Sequence, residues 1–252
     1  RMTIGGLMVW LTGIAIYSLG DLLGVGQIGL GFLVVPLTMF AVASAVNAMN
    51  LIDGLDGLAS GLVCIMLFLI LFVCVRSELV WQSWLASASL AATVAFSFYN
   101  FPGLRRSRPR CFLGDAGSNL LGFVVVYLLI DLSQRGVIYP ITALYILAWP
   151  LMDTAAVVVR RRLLGISPAT AGRDHIHHIL LDAGFGRMAA VLVIIVSTAV
   201  FAVLGLFLMQ FSEPVSFTVY MVSLMSYLWF TRNPKAFSGV LRRCLKLQGR
   251  AA

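Results

Sequence analysis

Residues 47–61 read NAMNLIDGLDGLASG and place Asn47, Asn50, Asp53 and Asp56 three residues apart between two long apolar segments. At about 100° per residue, Asn50, Asp53 and Asp56 span about 120° of a continuing helix and share one face, while Asn47 lies about 180° from Asp56. Gly54 and Gly57 each lower helix propensity by roughly 1 kcal/mol relative to Ala, so an unwound or kinked helix end is the alternative to a continuous row. In both cases a polar cluster sits between runs of about 20 apolar residues, which is the pattern of bilayer-spanning helices. The expected fold class is an all-α polytopic integral membrane protein.

Composition agrees. Of 252 residues, 60% are hydrophobic and only 11% charged, against roughly 25% charged in an average soluble domain. Cys64, Cys74, Cys111 and Cys244 show no metal-ligand spacing and are read as packing residues, with no disulfide. Arg1 is preceded by no charged n-region or cleavage site, so no signal peptide is expected and the chain reads as N-terminally truncated. Eight candidate spans fall at about residues 4–20, 29–46, 58–75, 81–101, 118–132, 137–153, 189–211 and 215–231.

The basic residues cluster in three segments: Arg105, Arg106, Arg108 and Arg110; Arg160, Arg161, Arg162, Arg173 and Arg187; and Arg232, Lys235, Arg242, Arg243, Lys246 and Arg250. Two spans separate each cluster from the next, so all three can lie in the cytoplasm, as the bias of Lys and Arg toward that side requires. Asp21, Glu78, Asp131 and Glu213 then lie outside. The net charge of +8 is accounted for by topology and attraction to anionic lipid, and nucleic-acid binding is not expected, because there is no soluble basic domain. The expected organisation is a transmembrane domain over 1–231, with cytoplasmic loops near 47–57, 103–117 and 154–188, and a basic cytoplasmic tail over 232–252.

This topology gathers Asp53, Asp56, Asp115, Asp153 and Asp174 at the cytoplasmic ends of spans. Any one of these carboxylates is explained as a helix cap; the set is better explained by a wet, cytoplasm-facing cleft, since an ionised group at membrane depth costs several kcal/mol without a partner. Three stretches supply the chemistry. Residues 47–56 carry hard oxygen ligands of the kind Mg²⁺ or Mn²⁺ prefers. Residues 111–123, CFLGDAGSNLLGF, set Asp115 among glycines and small residues at a helix start, where free N–H groups can meet an anion and Asp115 can hold a cation beside it. The loop RDHIHHILLDAGF holds all three histidines, His175, His177 and His178, close to Arg173. Zinc is disfavoured, because the histidine spacing is i, i+2, i+3 with no Glu. N–H donors and positive charge suit a phosphorylated substrate better. Together the three stretches suggest phosphoryl transfer to or from a lipid.

In this order and spacing, NAMNLIDGLDGLASG, FLGDAGSNLLGF and DHIHHILLDAGF resemble the polyprenyl-phosphate N-acetylhexosamine-1-phosphate transferases, a family that includes the undecaprenyl-phosphate GlcNAc-1-phosphate transferases and the phospho-MurNAc-pentapeptide translocases. The resemblance implies a Mg²⁺-dependent enzyme of the bacterial inner membrane. Such an enzyme transfers a sugar 1-phosphate from a UDP-sugar to undecaprenyl phosphate, a polyprenyl phosphate, and releases UMP. By similarity Asn50 and Asp115 are the metal ligands; Asp53, Asp56 and Asp115 form the catalytic set; and Asn47, Asn50, Arg173, His175, His177 and His178 bind substrate. The short histidine loop favours the GlcNAc branch, and a homodimer is compatible with the resemblance. One departure is clear: the family's Asp-Asp pair, expected after a third span, is absent from this chain. The residues present are therefore expected to show little activity alone. A secondary transporter and a non-catalytic nucleotide-sugar-binding membrane fragment are the competing readings. The transporter predicts a midplane site repeated between two halves, whereas here the polar residues crowd one side and no repeat is found.

Overall fold

The computed structural model describes residues 1–101, 111–167, 170 and 172–248, those from 244 onward by backbone alone. Arg105, Arg106, Arg108, Arg110 and Arg250 lie outside the described residues. The described elements are helical: α1 (Met2–Thr12), α2 (Val34–Ile52, entered through a 3-10 turn over Gly31–Leu33), α3 (Leu58–Arg76), α4 (Val80–Asn100), α5 (Gly114–Gln134), α6 (Pro140–Ile146), α7 (Ala148–Leu163), α8 (Ile176–Asp182), α9 (Arg187–Leu208), α10 (Glu213–Thr231) and α11 (Pro234–Gln248).

Four of these are long and apolar enough to cross a membrane: Gly31–Ile52, α3, α5 and α9. A fifth crossing arises if α6 and α7 form one span, although the two meet at Leu147 with an 82° bend. The expected eight spans are reached only by also counting α1, which has 11 residues, and the more polar α4 and α10. The membrane assignment is supported by the outer surface. Val196, Val200, Val203 and Phe207 form an exposed apolar stripe along α9, and Phe68 and Phe72 do the same on α3; such faces are satisfied by lipid, not water. This is a multi-pass membrane protein.

Two expected spans change, and the alternative left open for residues 50–57 is decided. The span at 4–20 is helical only to Thr12 and then runs extended, with Ser18 bridging Gly29. The span at 137–153 is broken, and its second limb continues to Leu163. The polar row after Asn50 is not one helix. Helix α2 stops at Ile52, Asp53 leaves the helical region (φ −74°, ψ 48°), and Gly57, at φ +82°, opens α3. That left-handed conformation is cheap only for glycine. Asp53 and Asp56 therefore lie in a turn, and Asn47 and Asn50 remain on α2.

In lipid, helices associate by close packing and polar contacts, not by expelling water. Gly122 of α5 sits against Met49 and Val46 of α2, where a Cβ would come within 3.0 Å of the Met49 side chain. This close approach brings the end of α2 to the start of α5. The apolar core joins the two through Met49, Ile52, Val125 and Leu129, and continues into α3 (Leu62, Met66) and α9 (Ile194).

Candidate functional site

At the α2–α5 crossing, Asn50 Nδ2 donates to Asp115 Oδ1 (2.9 Å) and to Ser118 Oγ (3.0 Å). The buried Ser118 hydroxyl in turn donates to the Gly114 carbonyl (3.0 Å). Committing Nδ2 to these acceptors fixes the Asn50 amide with Oδ1 facing the other way, where it accepts from Arg1 Nη2 (2.8 Å); Arg1 Nη1 also donates to Asn47 Oδ1. Asn47 and Asn50, about 60° apart on α2, are thus reached by one cation.

Asp53 faces this cluster from the turn. Burial pushes its carboxyl up to about 6, and the charges of Asp56 and Asp115 push in the same direction. Crowded carboxylates of this kind form a hard-oxygen set suited to a divalent cation, although the group that Asn50 turns toward Asp115 is its Nδ2 donor and its Oδ1 is held by Arg1. Among the described residues, no group of three or more His, Cys, Asp or Glu is placed to hold a metal ion by itself. A cation here would take its remaining oxygens from substrate or water, as Mg²⁺ does in phosphate sites. The carboxylate crowding also has a stability consequence. Folded Asp53 keeps its proton to about pH 6, the unfolded chain only to about 3.9. The stabilisation from this extra proton affinity is present below that window and is lost as pH rises through it. Asp53→Asn cannot ionise, so without added metal it should unfold at a higher temperature than the unsubstituted protein near pH 7, by roughly 1 kcal/mol after solvent screening. The difference should vanish near pH 4. An equal difference at both pH values would contradict the assignment.

The turn is held from behind by Asn100, the buried last residue of α4. Its Oδ1 accepts from Gly57 N (2.8 Å), and its Nδ2 donates to the Cys111 carbonyl (2.8 Å) at the approach to α5. Sequence reading missed this residue. The signal was available: a carboxamide closing an otherwise apolar span.

The histidine loop hangs from Asp153 of α7. Asp153 Oδ2 pairs with His175 Nδ1 (2.8 Å), and Oδ1 accepts from Ile176 N (2.9 Å) and Tyr227 OH of α10 (2.9 Å). Arg161 grips Asp174 through two nitrogens (2.6 and 3.1 Å), and Arg160 bonds the carbonyls of Asp174 (2.9 Å) and Thr231 (2.6 Å). Burial works to raise the Asp174 carboxyl, but its hydrogen bonds to Arg161 and the charges of Arg161 and Arg160 prevail and hold it below the usual value. Arg160 and Arg161 thus anchor the loop, a role the sequence did not reveal; Arg173 is exposed.

His177 and His178 are ring neighbours, with centroids 4.2 Å apart. Burial lowers His177 to about 4, with His178 adding to the effect; burial and Arg173 lower His178. Both rings are neutral near pH 7, so they offer N–H donors, and positive charge at this wall belongs to the arginines. The Nδ1 atoms of both are buried and have no hydrogen-bond partner among the described residues. The His177 ring lies directly against Gly54, where a Cβ would overlap Nε2. A cleft of about 730 Å³ beside this contact is lined by Asn47, Leu51, Gly54, Val157, Arg161, His175, His177 and His178. The lining of this cleft takes Asn47 and Gly54 from one side and His175, His177 and His178 from the other; Asn50, Asp53 and Asp115 gather in a cluster of their own outside that lining and adjoin it through the Gly54–His177 contact, with Asp56 in the connecting turn and Arg173 at the surface.

Residues 1–133 match the family described as glycosyl transferase family 4. The chain is similar to proteins named undecaprenyl-phosphate alpha-N-acetylglucosaminyl 1-phosphate transferase. That of Yersinia pestis is 36% identical over 204 residues, covering 80% of this chain and 56% of the relative. That of Escherichia coli K12 is 36% identical over 211 residues (81% and 56%), and that of Salmonella typhimurium 37% over 210 (81% and 56%). The chain spans little more than half the length of the curated relatives it matches.

Proposed function

This chain belongs to glycosyl transferase family 4, and from that membership we propose that it transfers a sugar 1-phosphate, GlcNAc 1-phosphate, from a UDP-sugar to undecaprenyl phosphate. A phosphate oxygen of the lipid attacks the sugar-bearing phosphorus of the donor. The bond from that phosphorus to the bridging oxygen breaks, UMP leaves with the electron pair, and a polyprenyl-diphospho-sugar remains. The observation that supports the reading is the direct contact of Gly54 with the His177 ring, which sets the oxygen cluster of Asn50, Asp53 and Asp115 next to a cleft lined by imidazoles and Arg161.

Asp115, with Asn50 once its amide turns and its Oδ1 is released from Arg1, would hold Mg²⁺ or Mn²⁺, whose chemistry is to neutralise charge on the donor pyrophosphate. Asp53 and Asp56 lie in the turn between α2 and α3, and Asp53, as a base titrating near 6, would take a proton from the acceptor phosphate. His177 and His178 donate hydrogen bonds to donor phosphate oxygens, while Asp153 orients His175 through Nδ1 and Arg173 supplies charge. The site opens to the cytoplasm, where UDP-sugars are found, in the bacterial inner membrane.

The test is exchange of labelled UMP into UDP-GlcNAc by the intact gene product with Mg²⁺ and undecaprenyl phosphate. Exchange is expected; its absence with every UDP-N-acetylhexosamine would refute the reading, and no transporter would perform it. In the same assay His177→Ala should raise the KM for the donor about tenfold or more, the cost of one buried hydrogen bond to a charged group, and leave the KM for the lipid unchanged. An effect on the lipid alone would remove His177 from the donor wall.

A further inference from the structure

Helix α10 ends at Thr231 with two aromatic side chains outward, Trp229 (58% exposed) and Phe230 (54%), and the Arg232 guanidinium stands 5.2 Å from the Trp229 ring centroid. Exposed aromatics paired with a cation at the end of an apolar helix mark the membrane–water interface. Only Arg232 and Asn233 separate this point from α11, so α11 begins at the same depth. Its start is built: Pro234 occupies the first position, and Asn233 Oδ1 accepts from Ala236 N (3.2 Å).

The helix is amphipathic. Phe237 and Leu241, one turn apart, pack inward against the core beneath α8, whereas Val240 on the flank is 56% exposed. The apolar stripe is therefore wider than the protein covers. Lys235, Arg242 and Arg243 are exposed on the polar side, and no Asp or Glu occurs anywhere from Pro214 to Ala252 to neutralise them. Arg242 Nη2 reaches the carbonyl of Asp182, the last residue of α8, at 2.6 Å, which satisfies a free helix-end carbonyl and complements its partial charge. Helix α8 carries His177 and His178.

We propose that α11 lies in the bilayer surface, binds anionic phospholipid headgroups through Lys235, Arg242 and Arg243, and transmits that contact to the histidine wall through its clamp on α8. The occupant follows from the chemistry: an uncovered apolar flank beside unneutralised cations, at the depth of the interfacial aromatics, fits a negatively charged bilayer surface better than a soluble anion, which would have no use for Val240. Each basic side chain near such a surface contributes roughly a fivefold factor.

Amide hydrogen exchange of the intact gene product tests this in nanodiscs of phosphatidylcholine alone and in nanodiscs with phosphatidylglycerol at about one lipid in three. In the anionic discs, α11 and α8 should exchange at least about fivefold more slowly, with α3 and α9 unchanged, and the difference should fade near 1 M salt, where the screening length is about 3 Å. Lys235→Gln with Arg243→Gln should lose the gain yet keep the exchange of α8 in neutral discs, while Arg242→Gln should loosen α8 in both lipids. Identical exchange of the unsubstituted protein in the two discs would overturn the proposal whatever the variants do. So would protection by soluble polyphosphate in neutral discs with none from anionic lipid.

Discussion

Asp115→Asn is expected to lower transfer by about a thousandfold, roughly 4 kcal/mol, the scale of losing a preorganised electrostatic group at a site of developing charge. The substitution is nearly isosteric. An amide oxygen at this position can still accept from Asn50 Nδ2, which now bonds Asp115 at 2.9 Å, so the α2–α5 junction should persist and the unfolding temperature should move little. What disappears is the negative charge, and the residual rate should therefore require more Mg²⁺. A normal rate with an unchanged Mg²⁺ requirement would remove Asp115 from the cation site. A large fall in unfolding temperature would instead make it a structural link between the two helices.

Gly54→Ala is expected to cost about a hundredfold in activity and roughly 1–3 kcal/mol in stability, for steric reasons. The added methyl would occupy the space of the His177 ring, so either the 53–57 turn or α8 must shift. Asp53 lies next to that methyl on one side of the contact, and His178 next to His177 on the other. A shift of about 1 Å therefore spoils both walls. The contact itself can be isolated with a double substitution. In a His177→Ala background there is room for the methyl, and Gly54→Ala should then add little further loss. Additive losses would mean that the two positions do not touch in the working enzyme.

The sequence showed the walls of the site more clearly than their supports. Asn50, Asp53, Asp115 and the histidines stood out because polar groups are rare in an apolar chain. Asn50 and Asp115 lie at the ends of apolar helices and Asp53 in the turn that follows one, as the hydropathy pattern suggested, while the histidines lie at the short helix α8 between α7 and α9. The supports were harder to see. Asn100 lies 43 residues from the turn it holds, Tyr227 lies 74 residues from Asp153, and such pairings depend on which helices become neighbours. Arg160 and Arg161 had been counted only as topological charge, because their use as loop anchors emerges only where α7, α10 and the histidine loop meet. Of the two readings left open for residues 50–57, the structure takes the turn, for a physical reason: two glycines in four residues favour it over a further helical turn. The basic tail likewise becomes helical once Phe237 and Leu241 find a surface to cover.

The central claim is that the α2–α5 oxygen cluster and the histidine wall serve one bound metal and nucleotide-sugar. Mn²⁺ in place of Mg²⁺ tests it by electron–nuclear double resonance on the intact gene product. With UDP-GlcNAc present, the bound Mn²⁺ should show hyperfine coupling to ³¹P, which should be lost in Asp115→Asn and weakened in His177→Ala. Mn²⁺ that binds with no phosphorus coupling, or coupling untouched by Asp115→Asn, would contradict the account.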